Sequence, residues 1–185
     1  MELQHFSHNH PLIFNNDMQT NNHSIDETCC SACGENLSST SPAGHYGCVE
    51  CKYFLHKTCA ELPNEINHFF HPQHPLTLIA EFNSYNYCNA CTDLSDGFFY
   101  DCVKCNFCIH STCSSLPRVR KFECHQHPIT LHINPAEESS IRICQICNIK
   151  TTPSCVAYYC TDCNFAAHFF INLLPFVIQK IMVNE

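Results

Sequence analysis

The sequence predicts three small α+β modules in tandem, each with two short β-ribbons, one short helix and little regular core. The first observation behind this prediction is composition: 18 of the 185 residues are cysteine and 14 are histidine, which indicates cross-linking by metal ions or disulfides. The second is an internal repeat, in which His56, His110 and His168 take equivalent positions 54 and 58 residues apart. A module of that length buries too little apolar surface to be stable on its core alone.

Each repeat is organised around a stretch of twelve residues, which in the second repeat begins at Cys102 and ends at Cys113. Two residues separate Cys102 from Cys105, so their thiolates can converge on one ion, while His110 and Cys113 are three apart, as on one face of a helical turn. These are the ligand types and spacings of tetrahedral zinc, which is therefore predicted to stabilise the modules. The other two copies share these spacings, except that isoleucine replaces the last cysteine of the third: residues 48–59 and 160–171.

Further positions keep the same register. Each repeat has an earlier cysteine pair with a two-residue gap and, before it, a His-Pro that opens a short strand. Each also has a tyrosine two residues before the second cysteine pair, predicted to lie in the core, and a later Leu-Pro that ends the short helix. The histidine, the first cysteine pair and the tyrosine are His10, Cys30, Cys33 and Tyr46, then His74, Cys88, Cys91 and Tyr100, then His127, Cys144, Cys147 and Tyr158. Residues with no reason to bind metal thus recur too, which indicates a repeated structural unit.

A complete repeat supplies seven metal ligands, and two closed tetrahedral sites need an eighth. Candidates follow each Leu-Pro: His68 or His71 after the first, and Cys124 or His125 after the second. Spacing alone leaves open which ligands share an ion. A closed set of four protein ligands is typical of structural zinc, because a catalytic zinc keeps one position open for water.

The order of these ligands, with the His-Pro openings and the tyrosine before the second pair, resembles the divergent C-one domains of plant cysteine/histidine-rich proteins, cousins of the diacylglycerol-type zinc finger. The resemblance covers nearly the whole chain. We expect modules at 5–70, 71–124 and 125–175, followed by an apolar extension at 176–185.

The resemblance also implies two interleaved zinc ions in each complete module. In the first module the implied sets are Cys30, Cys33, His56 and Cys59, and His10, Cys48, Cys51 and His68. In the second they are Cys88, Cys91, His110 and Cys113, and His74, Cys102, Cys105 and Cys124. The third keeps only Cys144, Cys147 and His168, and His127, Cys160 and Cys163, so it is expected to be partly filled or empty.

Composition and charge exclude several classes of partner. A formal net charge of −8 opposes binding to nucleic acid or to an anionic membrane. The N-terminal residues contain no apolar run of signal-peptide length, which predicts an intracellular location, cytoplasmic or nuclear, where disulfides do not persist. The apolar stretch 165–183 is interrupted by Pro175 and Lys180, so no transmembrane segment is expected. Lipid binding is not expected either, because three stretches lack the Gln-Gly and the basic residues of diacylglycerol-binding relatives: 44–47, 96–99 and 153–156.

These observations predict a non-catalytic interaction and signalling adaptor with a protein partner. The apolar extension and two aromatic stretches, residues 83–88 and 97–99, are candidates for partner binding, with the alternative that their aromatic side chains pack onto a core. The rival function is that of a thiol-disulfide oxidoreductase, since Cys-x-x-Cys is also a redox dithiol. That enzyme needs the apolar parallel strands of a βαβ unit, for which the chain has no pattern.

Overall fold

The computed structural model describes residues 1–16, 28–37, 44–80, 87–94, 97–133, 141–151 and 154–169. Within these ranges the chain forms three four-stranded antiparallel sheets, one for each repeat, with little helix. The predicted class of fold, a tandem of small modules suited to zinc, is confirmed. The predicted third helix, with Ile171, and the predicted extension 176–185 lie outside the described residues.

The first sheet holds the first repeat. Its strands are β1 (Glu2–Leu3), β2 (Leu12–Asn15), β3 (His45–Cys48) and β4 (Tyr53–His56), in that order across the sheet, and helix α1 (Lys57–Ala60) follows β4 directly. Tyr46 pairs with Leu55 across β3 and β4, and both side chains are buried. The two predicted ribbons are thus joined through β2 and β3 into one sheet.

The second sheet has the same plan. Its strands are β5 (Glu65–His68), β6 (His71–Ile79), β7 (Phe99–Asp101) and β8 (Cys108–His110), and helix α2 (Ser111–Ser114) follows β8. Tyr100 lies between Leu78 on β6 and Ile109 on β8, and all three side chains are buried. This tyrosine therefore takes the core position that the sequence predicted.

The third sheet consists of β9 (Val119–Arg120), β10 (Ile129–Ile133), β11 (Val156–Tyr159) and β12 (Ala166–His168). Tyr158 is buried between Leu131 and Ala167, which matches the position of Tyr100 in the second sheet. The chain divides into two compact units: Met1–Asn86 with Leu94–Ser114, and Tyr87–Asp93 with Ser115–Glu185.

The residues after the first two Leu-Pro pairs belong to the sheet of the following repeat. Strand β5 begins two residues after Pro63 and pairs with β6, and β9 begins two residues after Pro117 and pairs with β10. The hydroxyls of Tyr100 and Tyr158 donate hydrogen bonds to the carbonyls of Pro63 and Pro117, over 2.8 and 2.7 Å. The module boundary expected between residues 70 and 71 falls in the turn between β5 and β6.

Two further features bear on partners. Phe98 and Phe99 are buried, so this part of the second aromatic stretch packs onto the core, whereas Tyr87 is 59% exposed. Residues 83–86 of the first stretch lie outside the described part of the chain. Among the residues that are described, no helix has the length and apolar character needed to cross a membrane.

Candidate metal centres

The first cysteine pair of every repeat lies in a tight turn, which we term the knuckle turn. The residue after the second cysteine donates its backbone N–H to the carbonyl of the first, over 2.8, 2.8 and 2.9 Å, and has a positive φ of 74°, 64° and 58°. The residues at this position are Gly34, Thr92 and Asn148, in the turns 30–34, 88–92 and 144–148. A turn of this kind curls the backbone so that two thiols can reach one ion.

We term the set formed by a knuckle turn and the following His-x-x-Cys site A. In the first repeat the ligand atoms of its four residues lie within 4.8 Å of one another: Cys30, Cys33, His56 and Cys59. His56 ends β4 and Cys59 lies in α1, so the junction between strand and helix brings both to the turn. The Nδ1 atom of His56 is 3.4 Å from Cys33 Sγ, and its Nε2 atom is 3.3 Å from the Asn36 carbonyl. Donation to that carbonyl leaves Nδ1 unprotonated and facing the sulfur atoms.

The three thiols of this site A form hydrogen bonds to one another, and these bonds shift their pKa values. Hydrogen bonds from Cys33, and then from Cys59, lower the pKa of the Cys30 thiol far below its usual value. The bond to Cys30 raises the pKa of Cys33 to about 11, and the separate bonds of Cys59 to Cys30 and Cys33 raise the pKa of Cys59 further. Three thiols this close together cannot all ionise without a counter-charge, and a divalent ion would stabilise all three thiolates.

We term the set formed by the second cysteine pair and two histidines site B. In the first repeat it consists of His8, His10, Cys48 and Cys51, whose ligand atoms lie within 4.8 Å of one another. The Nδ1 atom of His10 is 3.1 Å from Cys51 Sγ and 4.0 Å from Cys48 Sγ. Among the described residues, the Nε2 atoms of His8 and His68 are both buried without a hydrogen-bond partner, and His8 is the one that lies in this cluster, which fits a nitrogen that a metal ion would ligate. The sequence had placed His68 in this set.

Site B of the second repeat consists of His71, His74, Cys102 and Cys105, again within 4.8 Å of one another. The Nδ1 atom of His74 is 3.3 Å from Cys105 Sγ and 3.4 Å from His71 Nε2. The sequence had placed Cys124 in this set. In the structure Cys124 is exposed, in the segment that follows β9.

Site B of the third repeat is also a full set of four, namely His125, His127, Cys160 and Cys163. Cys160 Sγ is 3.7 Å from His127 Nδ1, and Cys163 Sγ is 3.6 Å from His125 Nε2. The resemblance had implied only three ligands here, because no candidate ligand follows Pro175, and His125 had been a candidate for the second repeat. The histidine pair before the proline is thus shared by all three repeats.

Site A of the other two repeats is described in part. In the third repeat Cys147 Sγ is 3.3 Å from His168 Nδ1, and His168 Nε2 is 3.2 Å from the Lys150 carbonyl, which reproduces the orientation of His56. In the second repeat His110 Nδ1 is 3.7 Å from Cys113 Sγ. The full predicted set of the second repeat, Cys88, Cys91, His110 and Cys113, stays a prediction.

His68 lies outside the three site B sets, and His5 takes the equivalent position in the first repeat. Each lies three residues before the first histidine of its repeat's site B, and each accepts a backbone N–H at Nδ1 over 3.3 Å, from Phe70 and from Ser7. Both are 7% exposed, and burial lowers the pKa of both side chains. Phe122 stands at this position in the third repeat. The position therefore also accepts an apolar ring, and the metal role predicted for His68 stays a prediction.

The sequence contains two signals for the second histidine of site B. One is the spacing His-x-His-Pro or His-x-x-His-Pro, and the other is the aromatic residue two positions after the second cysteine pair. That ring stacks on the histidine in every repeat, with centroids 4.6, 4.6 and 4.1 Å apart and interplanar angles of 5°, 13° and 18°. The pairs are His8 with Tyr53, His71 with Phe107 and His125 with Phe165.

Three short sheets with clustered cysteine and histidine side chains define a tandem zinc-binding protein, since thiolates with imidazoles in sets of four suit tetrahedral zinc. The family model of the C1 domain matches residues 6–60, 69–114 and 123–170, and the chain belongs to this family. No curated protein and no solved structure matches the chain significantly. The matched ranges include every histidine pair of site B and leave out His68.

Proposed function

We propose that the chain is a non-catalytic adaptor in which zinc stabilises the repeats and exposed segments bind a protein partner. The observation that carries this proposal is ligand closure, because each clustered set in the first unit, and site B of the third repeat, has four protein ligands. A zinc ion held by four protein ligands has no position for a water molecule to be activated. The metal would then fold the repeats rather than transform a substrate.

The proposed ligands follow the geometry. Site A takes Cys30, Cys33, His56 and Cys59 in the first repeat, with equivalents in the second and third. Site B takes His8, His71 and His125 in place of the trailing residues that the family resemblance suggested. Each of these histidines lies next to the His-Pro of its own repeat, so each repeat would bind its metal without a ligand from its neighbour.

Thiol redox chemistry is the alternative, and the distribution of thiols argues against it. A redox cysteine must combine a lowered pKa with access to a disulfide substrate. Cys30 has a lowered pKa but is 1% exposed. Cys51 and Cys163 are exposed, but desolvation and the neighbouring Cys48 or Cys160 raise their pKa, which reduces the thiolate fraction. None of the eighteen cysteines, all of which are described, forms a disulfide.

Insulin reduction by the zinc-loaded protein separates the two functions. We expect no turnover, and we expect Cys102→Ser and Cys105→Ser to change metal content without changing that result. Turnover by the zinc-loaded protein that either substitution abolishes would contradict the adaptor function. The second arm is saturable binding of a protein partner, which we expect deletion of residues 169–185 to abolish.

The proposal also covers where the protein is located and which ligands it does not bind. A net charge of −8 supports an adaptor that binds neither nucleic acid nor an anionic leaflet, and an intracellular location, where thiols stay reduced and can bind zinc, belongs to the same proposal. Burial of Phe98 and Phe99 removes two apolar side chains from the rim where a diacylglycerol-binding relative would contact lipid. Sedimentation with vesicles of phosphatidylserine and diacylglycerol should therefore leave the protein in the supernatant.

A further inference from the structure

The knuckle turns make a second kind of contact, through their third residue. In the first repeat this residue is Ala32, which is 2% exposed and whose carbonyl accepts the backbone N–H of Phe98 over 2.9 Å. The preceding residue, Gly97, has a φ of 128°, and a Cβ atom there would lie 2.5 Å from the Ala32 carbonyl oxygen. The backbone of the second repeat therefore approaches the turn of the first so closely that only glycine fits.

Phe98 connects this contact to both repeats. Its side chain is 2% exposed and stacks on His5 of the first repeat, with centroids 5.9 Å apart and an interplanar angle of 12°. Its ring also lies 5.7 Å from that of Phe6. Its carbonyl accepts the N–H of Ser111, the first residue of α2, over 2.9 Å. Phe98 is thus fixed to the first repeat through its ring and N–H, and to the helix that carries Cys113 through its carbonyl.

The same contact is present in the second compact unit. There the third residue of the knuckle turn is Ala90, which is fully buried and accepts the N–H of Val156 over 2.8 Å. The thiol of Cys155 adds a hydrogen bond to the Cys91 carbonyl, over 3.1 Å. Phe98 and Val156 hold the same position in their repeats, two residues before the core tyrosine. The contact is therefore a repeated feature.

The third knuckle turn has a large side chain at this position. Ile146 is half-buried, yet the turn keeps its form, since Asn148 donates its N–H to the Cys144 carbonyl over 2.9 Å. The turn itself therefore accepts a large third residue. Alanine at positions 32 and 90 is explained by the backbone that lies against it rather than by the turn.

We propose that the knuckle turn is a docking element for the repeat that follows. The small third residue and its carbonyl receive the backbone two residues ahead of the next core tyrosine. Because the same turn supplies two ligands of site A, the metal that shapes the turn also sets the position of the second repeat in the first unit. Site A then has two roles: it folds its own repeat and it orders the next one.

The test uses the full zinc-loaded chain and amide hydrogen exchange at Phe98. Ala32→Ile introduces the side chain that the third turn already accepts, so it should block docking and leave the turn intact. We expect exchange at Phe98 to become about tenfold faster, in line with the loss of one buried hydrogen bond. Exchange in β3 and β4, and the zinc count from native mass spectrometry, should not change.

Ile146→Ala is the matched control, since it alters the same position of another turn and should leave Phe98 exchange as it was. Gly97→Ala adds a Cβ atom on the second repeat's side of the contact, and it should speed exchange at Phe98 as Ala32→Ile does. Unchanged exchange at Phe98 in both Ala32→Ile and Gly97→Ala would overturn the proposal. So would an equal acceleration in the Ile146→Ala control. Loss of zinc from Ala32→Ile would show that the small residue serves the metal site instead.

Discussion

The second histidine of site B is oriented by the side chains that pack against it. In the first repeat His8 stacks on Tyr53 with an interplanar angle of 5°, and the Tyr53 hydroxyl is 2.7 Å from the hydroxyl of Ser7. Neighbouring side chains of this kind orient the ligands of metal sites. The aromatic residue after the second cysteine pair therefore belongs functionally to site B.

Substitution by phenylalanine distinguishes His8 from His68. His8→Phe removes a ligand from a set of four and should lower the zinc count by one ion in native mass spectrometry under mild chelation. His68→Phe introduces the residue type that the third repeat has at the equivalent position, Phe122, so the zinc count should stay the same. An ion lost from His68→Phe and retained in His8→Phe would restore the assignment that the family resemblance implied.

In the first repeat the structure brings together the seven positions that spacing predicts as ligands, because their geometry is local. Cys-x-x-Cys needs only a turn, and His-x-x-Cys needs only the first turn of a helix after a strand. Ligand spacing alone leaves the eighth open, because it depends on which sheet the residues after Leu-Pro join. Strand β5 pairs Ile66 with Leu76, which places His68 in the second sheet. Backbone pairing of that kind is not encoded in the spacing of ligands.

At the scale of elements, the Leu-Pro segment has two roles, and the sequence predicted only the first. Proline was expected to end a helix, and the described helix α1 does end before Pro63. The carbonyl of Pro63 then accepts a hydrogen bond from Tyr100, on the third strand of the next sheet. Tyr158 and Pro117 repeat the arrangement in the second unit. The core tyrosine therefore anchors the first strand of its own sheet as well as filling the core.

Tyr100→Phe tests this anchor. The substitution keeps the buried ring but leaves the Pro63 carbonyl without its donor, which should lower the free energy of unfolding by about 1 kcal/mol. Urea denaturation of the zinc-loaded protein measures the change. Tyr158→Phe should have a similar effect, and Tyr87→Phe, at a side chain that is 59% exposed, should change stability by less than about 0.5 kcal/mol. Equal effects at positions 100 and 87 would contradict the anchor.

At the scale of the molecule, short strands leave stability to the metal. The described strands have between 2 and 9 residues, and modules of about 55 residues bury too little surface to be more than marginally stable. Structural zinc contributes on the order of 10–16 kcal/mol, which exceeds the usual net stability of about 5–15 kcal/mol for a whole domain. Removal of zinc should therefore unfold the repeats, and survival of amide dispersion in the NMR spectrum after metal is stripped would contradict this.

The number of zinc ions follows from counting closed sets. Four sets of four ligands belong to site A of the first repeat and site B of all three repeats, and the predicted Cys88, Cys91, His110 and Cys113 set would be a fifth. Site A of the third repeat has Cys144, Cys147 and His168 and an isoleucine in the fourth position, so its ion should be held less tightly. Native mass spectrometry during a chelator titration should therefore show one ion leaving first and five leaving later, together with loss of structure.

His125→Ala should reduce the tightly held ions to four, because it opens site B of the third repeat, whereas His132→Ala should leave them at five. A tightly held count of four in the unsubstituted protein, unaffected by His125→Ala, would show that the third repeat lacks a closed site.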